Sequence, residues 1–248
     1  MRWIVCLLML ALYAQSAEKV ATVAALEGQL VANSSDTGQR FLNLDSDVYL
    51  GDTLITNQMA KAQIAFTDGT SLLLIPNSSI AISNYAFGGA GESYLAQLQR
   101  GGIQISTGLI AKKNPENFEI GTPDATIGVR GTVFLARMVG GQLYAGSNSG
   151  EITLKNNGGS LNLGPNQYAM VTSRNVAPQP LASMPSALNP SQFASPSVAG
   201  AQGAGAAAGM SGATSFPWVP AVGIAAALGT TVGVVAATAS QSAVSVSH

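Results

Sequence analysis

The chain of 248 residues carries 11 Lys+Arg and 12 Asp+Glu, a charged share of 9%, where about 25% is usual in a soluble domain. A formal net charge of −1 supplies no basic field for a phosphate backbone and disfavours nucleic-acid binding by counterion release. The single cysteine is Cys6 and the single histidine is the last residue, His248. A Ser/His/Asp or Cys/His arrangement, or a His- or Cys-ligated zinc, needs these residues inside a folded core. With no catalytic group and no cofactor indicated, the sequence reads as that of a binding protein, not an enzyme.

Residues 1–17, MRWIVCLLMLALYAQSA, combine a basic Arg2, an apolar run from Ile4 to Leu12 and small residues at Ala14, Ser16 and Ala17, the pattern of a secretory signal peptide. Cleavage is expected after Ser16 or Ala17. The apolar run is too short to span a bilayer, which takes about 20 residues. Cleavage would remove Cys6 and leave an exported chain without a thiol, so its core must stabilise it without disulfides.

Residues 18–174 are expected to form one all-β domain. Ala62, Ile64 and Phe66 alternate with polar neighbours, Thr67-Asp68-Gly69-Thr70 turns the chain, and Leu72 and Leu74 resume the alternation before Pro76. This is a hairpin pattern, because an Asp-Gly pair supplies the positive φ that a tight turn requires. Ile80 and Ile82 begin another strand, and Tyr94–Gln99 is short enough to be helix or strand. A glycine followed by alternating apolar positions recurs at Gly28, Gly102, Gly131, Gly141, Gly150 and Gly159. Such short strands with frequent turns predict a β-sandwich or a solenoid-like β-roll.

After Arg174 the chain has no Asp, Glu, Lys or Arg through His248. Residues 175–215, rich in Pro, Gly, Ala and Ser, read as a flexible linker with too little apolar bulk to offset its ordering entropy. Residues 216–240 read as a Gly/Ala-rich hydrophobic helix able to cross a membrane, followed by a polar tail at 241–248. Ala221, Ala225, Gly229, Gly233 and Ala237 would line one small-residue face on which another helix can pack. A disordered or partner-packed Gly/Ala segment is the alternative, because the tail lacks the Lys/Arg of a cytoplasmic end.

Three stretches resemble the FecR domain: Leu50–Ile82 with GDxLxT and FxDGxxLxLxPNS, Phe118–Phe134 with TPxAxxGVRGT, and the closing LGPNQYAMV of Leu163–Val171. The motif positions are Gly51, Asp52, Asp68, Gly69, Pro76, Asn77, Ser78, Thr122, Pro123, Gly128, Arg130, Gly131 and Thr132. The resemblance implies a periplasmic β-module that, in well-known members, relays the state of an outer-membrane transporter to a sigma factor. A signal peptide stands here where those members carry a cytoplasmic anti-sigma segment, so the β-module is expected without that output.

The motif residues are expected to be structural. Arg130 reads as an internal fork bonded to backbone carbonyls or to Asp124 or Asp68, with a ligand or partner contact as its functional alternative. Asp45, Asp47 and Asp52 depart from an EF-hand loop after two aspartates. Glu116, Glu119 and Asp124 show no spacing that would face two of them onto one sugar. The Asn33 and Asn77 NSS sequons matter only in a eukaryotic secretory pathway. The sequence therefore points to a non-catalytic periplasmic binding or scaffold module whose partner is an envelope protein or cell-wall polymer. The alternative is a signalling subunit acting through a membrane partner.

Overall fold

The structure, a computed structural model, describes residues 17–89 and 91–196. The signal peptide through Ser16, the helix at 216–240 and the polar tail lie outside the described residues. Sixteen strands run in chain order. They are β1 (Lys19–Glu27), β2 (Leu30–Ser34), β3 (Gly38–Leu42), β4 (Asp47–Tyr49), β5 (Thr53–Thr56), β6 (Lys61–Phe66), β7 (Ser71–Leu74) and β8 (Ser79–Ala86), followed by β9 (Ser93–Arg100) and β10 (Gly102–Ser106). A short helix α1 (Leu109–Lys113) separates these from β11 (Phe118–Gly121), β12 (Thr126–Val139), β13 (Gln142–Asn156), β14 (Gly159–Leu163), β15 (Gln167–Val171) and β16 (Gln179–Leu181). Among the described residues no helix is long and apolar enough to cross a membrane.

All sixteen strands belong to one sheet in the order β3-β2-β5-β8-β9-β11-β12-β10-β7-β6-β1-β4, with β13 added to β12, β14 and β15 added to β13, and β16 added to β15. The protein is thus all-β, and the sheet rolls upon itself as a nearly closed barrel. Its two terminal strands, β3 and β4, are neighbours in the chain. Arg40 of β3 crosses the seam, donating to the Asp47 carbonyl and to the Asp52 carboxylate while its guanidinium lies 4.8 Å from the centre of the Tyr49 ring. Every pairing is antiparallel except β9 with β11.

Alternation explains the interior. On β6, Ala62, Ile64 and Phe66 are buried while Lys61, Gln63 and Ala65 are only partly so, as period-two side-chain geometry requires. The β6–β7 hairpin closes at Gly69 with φ 85°, through Gly69 N–H to Phe66 O and Phe66 N–H to Thr70 O. Tyr94–Gln99, ambiguous by length, lies in β9. At the centre, Tyr94 stacks on Phe118 at 4.4 Å, and Phe66 meets Tyr94 edge-on at 5.0 Å, arrangements that add to simple area burial.

Residues 175–196 depart from the linker expected from composition. They add β16 and then two 3-10 turns, Ser186–Leu188 and Pro190–Phe193. Leu188 and Phe193 form a second apolar cluster with Leu73, Ile75, Leu135 and Tyr168. The composition argument fails here because a few bulky side chains suffice when a preformed sheet offers them a matching face. Gly146 makes room: a Cβ there would meet the Tyr168 ring at 2.4 Å. Arg137 donates to the Ala187 carbonyl and the Gln192 side chain, and Lys61 donates to the Ala194 carbonyl at 3.2 Å.

Candidate functional site

Four of the motif residues, Ser78, Asp68, Thr132 and Asp52, anchor polar latches. In the first latch Ser78, fully buried, donates from Oγ to the Gly102 carbonyl at 2.8 Å and accepts from the Gly102 amide at 2.9 Å. Thr56 Oγ1 accepts from the Ser78 amide and donates to the Ile75 carbonyl. The turn demands αL geometry at Asn77, with φ 59°, a region that Asn tolerates better than most residues. Gly101 approaches so closely that a Cβ would stand 2.4 Å from Ser78 Cα. GDxLxT and PNS are therefore two halves of one joint between β5, β8 and β10.

The second latch is built on Asp68, which is 2% exposed. Its carboxylate accepts from the Thr70 amide at 3.0 Å, Thr70 Oγ1 at 2.8 Å, Tyr85 Oη at 3.4 Å and the Ile110 amide at 3.4 Å. Burial pushes the Tyr85 hydroxyl up to about 12, the Thr67 hydrogen bond opposing and the Asp68 charge adding to it. Tyr94 is pushed upward by full burial, reinforced by Asp68 and then Tyr85. Both are neutral phenols at ordinary pH.

The third latch joins Thr132 to β10. Its amide donates to Thr107 Oγ1 at 2.8 Å, and its hydroxyl lies 3.2 Å from Ser147 Oγ. The fourth is Asp52, fully buried, whose Oδ2 accepts from the Tyr49 amide and Arg40. Thr122 closes its own turn, donating to the Ala125 carbonyl and accepting from the Ala125 amide; Pro123 offers its carbonyl to Arg174 at 2.8 Å. Gly51, Gly69 and Pro123 are exposed, and Pro76 and Gly128 are partly so.

Arg130 corrects the expectation of an internal fork. It is exposed, and its guanidinium makes no hydrogen bond or ion pair among the described residues. The ladder between β12 and β13 shifts register between Arg130 and Val133, with Gly131 at φ 51°, so Arg130 and Gly131 both face outward before Thr132 returns to the interior. A bulge of this kind re-aims side chains that strict alternation would place inside.

The acidic candidates do not converge. Asp47 pairs with Lys19 at 2.6 Å, Asp52 pairs with Arg40, and Asp45 is exposed. Among the described residues no group of three or more His, Cys, Asp or Glu could hold a metal ion. Asp124 lines a 170 Å³ recess with Lys155 and Arg174, without Glu116 or Glu119.

What alternation leaves outside is more informative. The register Phe41–Val31–Ile55–Ser79–Arg100 crosses β3, β2, β5, β8 and β9. Val31, Ile55 and Arg100 line a 780 Å³ groove with the strand-end residues Gln29, Met59 and Asn77. Met59 is 75% exposed, and Phe41, just beyond Val31, is 64% exposed. A second recess of 470 Å³ continues from Ile55 and Ser79 towards Asn33 and Thr53. Of the motif positions only Asn77 lines the groove and Gly51 the adjoining recess. The groove's sequence signal is an apolar residue on the outward position of two adjacent strands, visible only once their pairing is known.

A rolled β-module, with its buried motif residues holding strands together and an open groove on its outer face, is the class defined by this geometry. Residues 52–153 match the family model described as FecR protein, and this segment is a FecR-family domain. Two crystal structures of a "putative anti-sigma factor" from Parabacteroides distasonis ATCC 8503 are similar in part, each 16% identical, with TM-scores of 0.45 and 0.44. Both alignments cover 53% of this chain and 59% of that chain, so the similarity spans under two thirds of the matched protein. No curated protein matches the sequence.

Tyr94 Oη is buried without a hydrogen-bond partner among the described residues, and an unsatisfied buried hydroxyl costs about 1–3 kcal/mol. Tyr94→Phe should therefore match or exceed the wild-type midpoint in urea unfolding; a midpoint lowered by the change would contradict the unpaired hydroxyl. Raised folded-state pKa values contribute stability that is fully present below the ordinary phenol pKa of about 10 and is lost as pH rises towards the folded value. Stability should accordingly begin to fall above pH 10, the Tyr85 share being lost by about pH 12 and the Tyr94 share continuing to fall beyond it.

Proposed function

We propose that this protein is a non-catalytic binding module of the bacterial cell envelope, in which the FecR-family β-domain holds another envelope component, an envelope protein or cell-wall polymer, against the groove of β2, β5, β8 and β9. The observation carrying this reading is the separation of roles. Asp68, Ser78 and Thr132, and Asp52 through Oδ2, are hydrogen-bonded within the fold, whereas Met59, Ile55 and Arg100 line an open groove. Apolar residues gathered on an open groove are the usual mark of a recognition surface.

A photo-crosslinking side chain placed at position 59 tests this in living cells. A discrete adduct with an envelope component is expected. Adducts from position 162 on β14 but none from position 59 would count against the groove.

A signalling subunit is the second reading, favoured by the FecR-family match, since that resemblance implies relay of a receptor's state. The captured partner separates the two: a receptor or regulator supports relay, and a wall polymer or structural complex supports a scaffold.

Export is supported by the pattern of residues 1–17, and membrane attachment by the uncharged run within 216–240. The mature protein should begin at Ala17 or Glu18 in the envelope fraction, and deletion of residues 216–248 should release it from membranes. A chain beginning at Met1 in the cytosol would contradict export, and a wholly soluble full-length protein would contradict the anchor.

A further inference from the structure

The groove has a chemistry that narrows its occupant. Its lining contains aliphatic and thioether carbon from Val31, Ile55 and Met59, side-chain amides from Gln29 and Asn77, one cation, Arg100, and no carboxylate. The Arg100 guanidinium makes no hydrogen bond or ion pair among the described residues, although three other arginines, Arg40, Arg137 and Arg174, each hold a carbonyl or carboxylate. A guanidinium at the end of an apolar lining suits a carboxylate, with two parallel donors matching two oxygens.

Spacing sets the length. Val31 pairs with Ile55, Ile55 with Ser79 and Ser79 with Arg100, so Val31 and Arg100 stand three interstrand steps apart, about 14 Å at 4.7–4.9 Å per step. An extended peptide advances about 3.3 Å per residue and covers that span in roughly four residues. The amides at the strand ends can donate to and accept from a peptide backbone, as a sequence-tolerant contact requires. No aromatic ring lines the groove, so the flat platform on which a sugar face stacks is missing there; Phe41 stands beyond Val31, outside the lining.

We infer that the groove takes an extended peptide segment of a partner protein bearing an aliphatic side chain over Val31 and Ile55 and a carboxylate, from Asp, Glu or a chain terminus, about four residues further on against Arg100. This deepens the docking reading and rests on it. The amides fix the backbone between the two anchors, Met59 adapts to the shape of the aliphatic side chain, and Arg100 sets direction and register.

The test is selection of displayed random heptapeptides on the full-length protein, followed by fluorescence-polarisation titration of the enriched sequences. Enriched peptides should carry an aliphatic residue with an acidic one three to five positions later. Arg100→Gln should weaken them about tenfold or more, as expected for a charge-assisted contact, and Glu→Gln in the peptide should do the same. The two changes together should cost little beyond either alone, and the melting temperature of Arg100→Gln should stay at the wild-type value. No enrichment, enrichment without acidic residues, or titrations indifferent to Arg100→Gln would overturn the inference, as would glycan-array binding that depends on Arg100 in the absence of peptide binding. If cellular adducts form at position 59 while the selected peptides lack an acidic residue, docking stands and the acidic-peptide assignment falls. If neither occurs, both fall.

Discussion

Asp68→Ala should lower stability by about 3–5 kcal/mol, because several buried donors lose their acceptor at about 1–3 kcal/mol each. Four donors converge on this carboxylate from three segments: Thr70 in the same hairpin, Tyr85 in β8 and the Ile110 amide in α1. Truncation leaves the two Thr70 donors and the Ile110 amide facing a methyl group, while Tyr85 Oη keeps Thr67 Oγ1 at 2.7 Å, and unsatisfied buried donors cost more than the bonds they once made. Gly108 packs so close to this turn that a Cβ would stand 2.4 Å from the Asp68 carbonyl oxygen, so the surroundings have little room to rearrange. Urea unfolding checks the value, and a loss below about 1 kcal/mol would mean that the network does not hold the hairpin to α1.

The second large effect concerns the segment after Arg174. Leu188 is fully buried against Leu135, Tyr168 and their neighbours, and Leu→Ala at such a site costs about 2–5 kcal/mol. Because residues 179–193 end the described domain, the loss should appear as local opening, with amide exchange in this segment rising about 100-fold for a loss near 3 kcal/mol. Exchange in β6 and β7 should be unchanged. Wild-type exchange in 179–193 already at free-chain rates would contradict a docked strap.

How much of this was legible in the residues depends on how local the deciding interaction is. The β6–β7 hairpin was readable because period-two alternation and the Asp68-Gly69 turn lie within a dozen residues, and no distant partner can reverse them. The strap was missed although a trace of it was present. Leu72, Leu73, Leu74 and Ile75 form an unbroken apolar run, which signals a strand covered on both faces, and its outward members Leu73 and Ile75 are those covered by Leu188 and Phe193. Composition hid the cover. Arg130 was misplaced because alternation carries a side chain to the wrong face once a bulge intervenes, and the Gly131 φ of 51° that makes the bulge is not written in the residue type alone. The groove was invisible for a different reason. Val31, Ile55 and Arg100 are far apart in sequence, and only the β2-β5-β8-β9 pairing places them in one line. The parallel union of β9 with β11 likewise leaves no mark in the hydrophobic period.

The central claim is that the latches hold the fold while the groove does the binding, and crosslinking from position 59 in the Ile55→Glu background tests it most directly, with thermal unfolding measured in parallel. Ile55 is only half-buried on the outward face, so a carboxylate there should leave the melting temperature close to wild type while repelling an acidic occupant and removing its apolar seat. The account predicts adduct yield reduced about tenfold or more with the fold intact, since losing an apolar seat and adding like-charge repulsion each cost on the order of 1 kcal/mol or more. Undiminished adducts from a folded Ile55→Glu protein would contradict it.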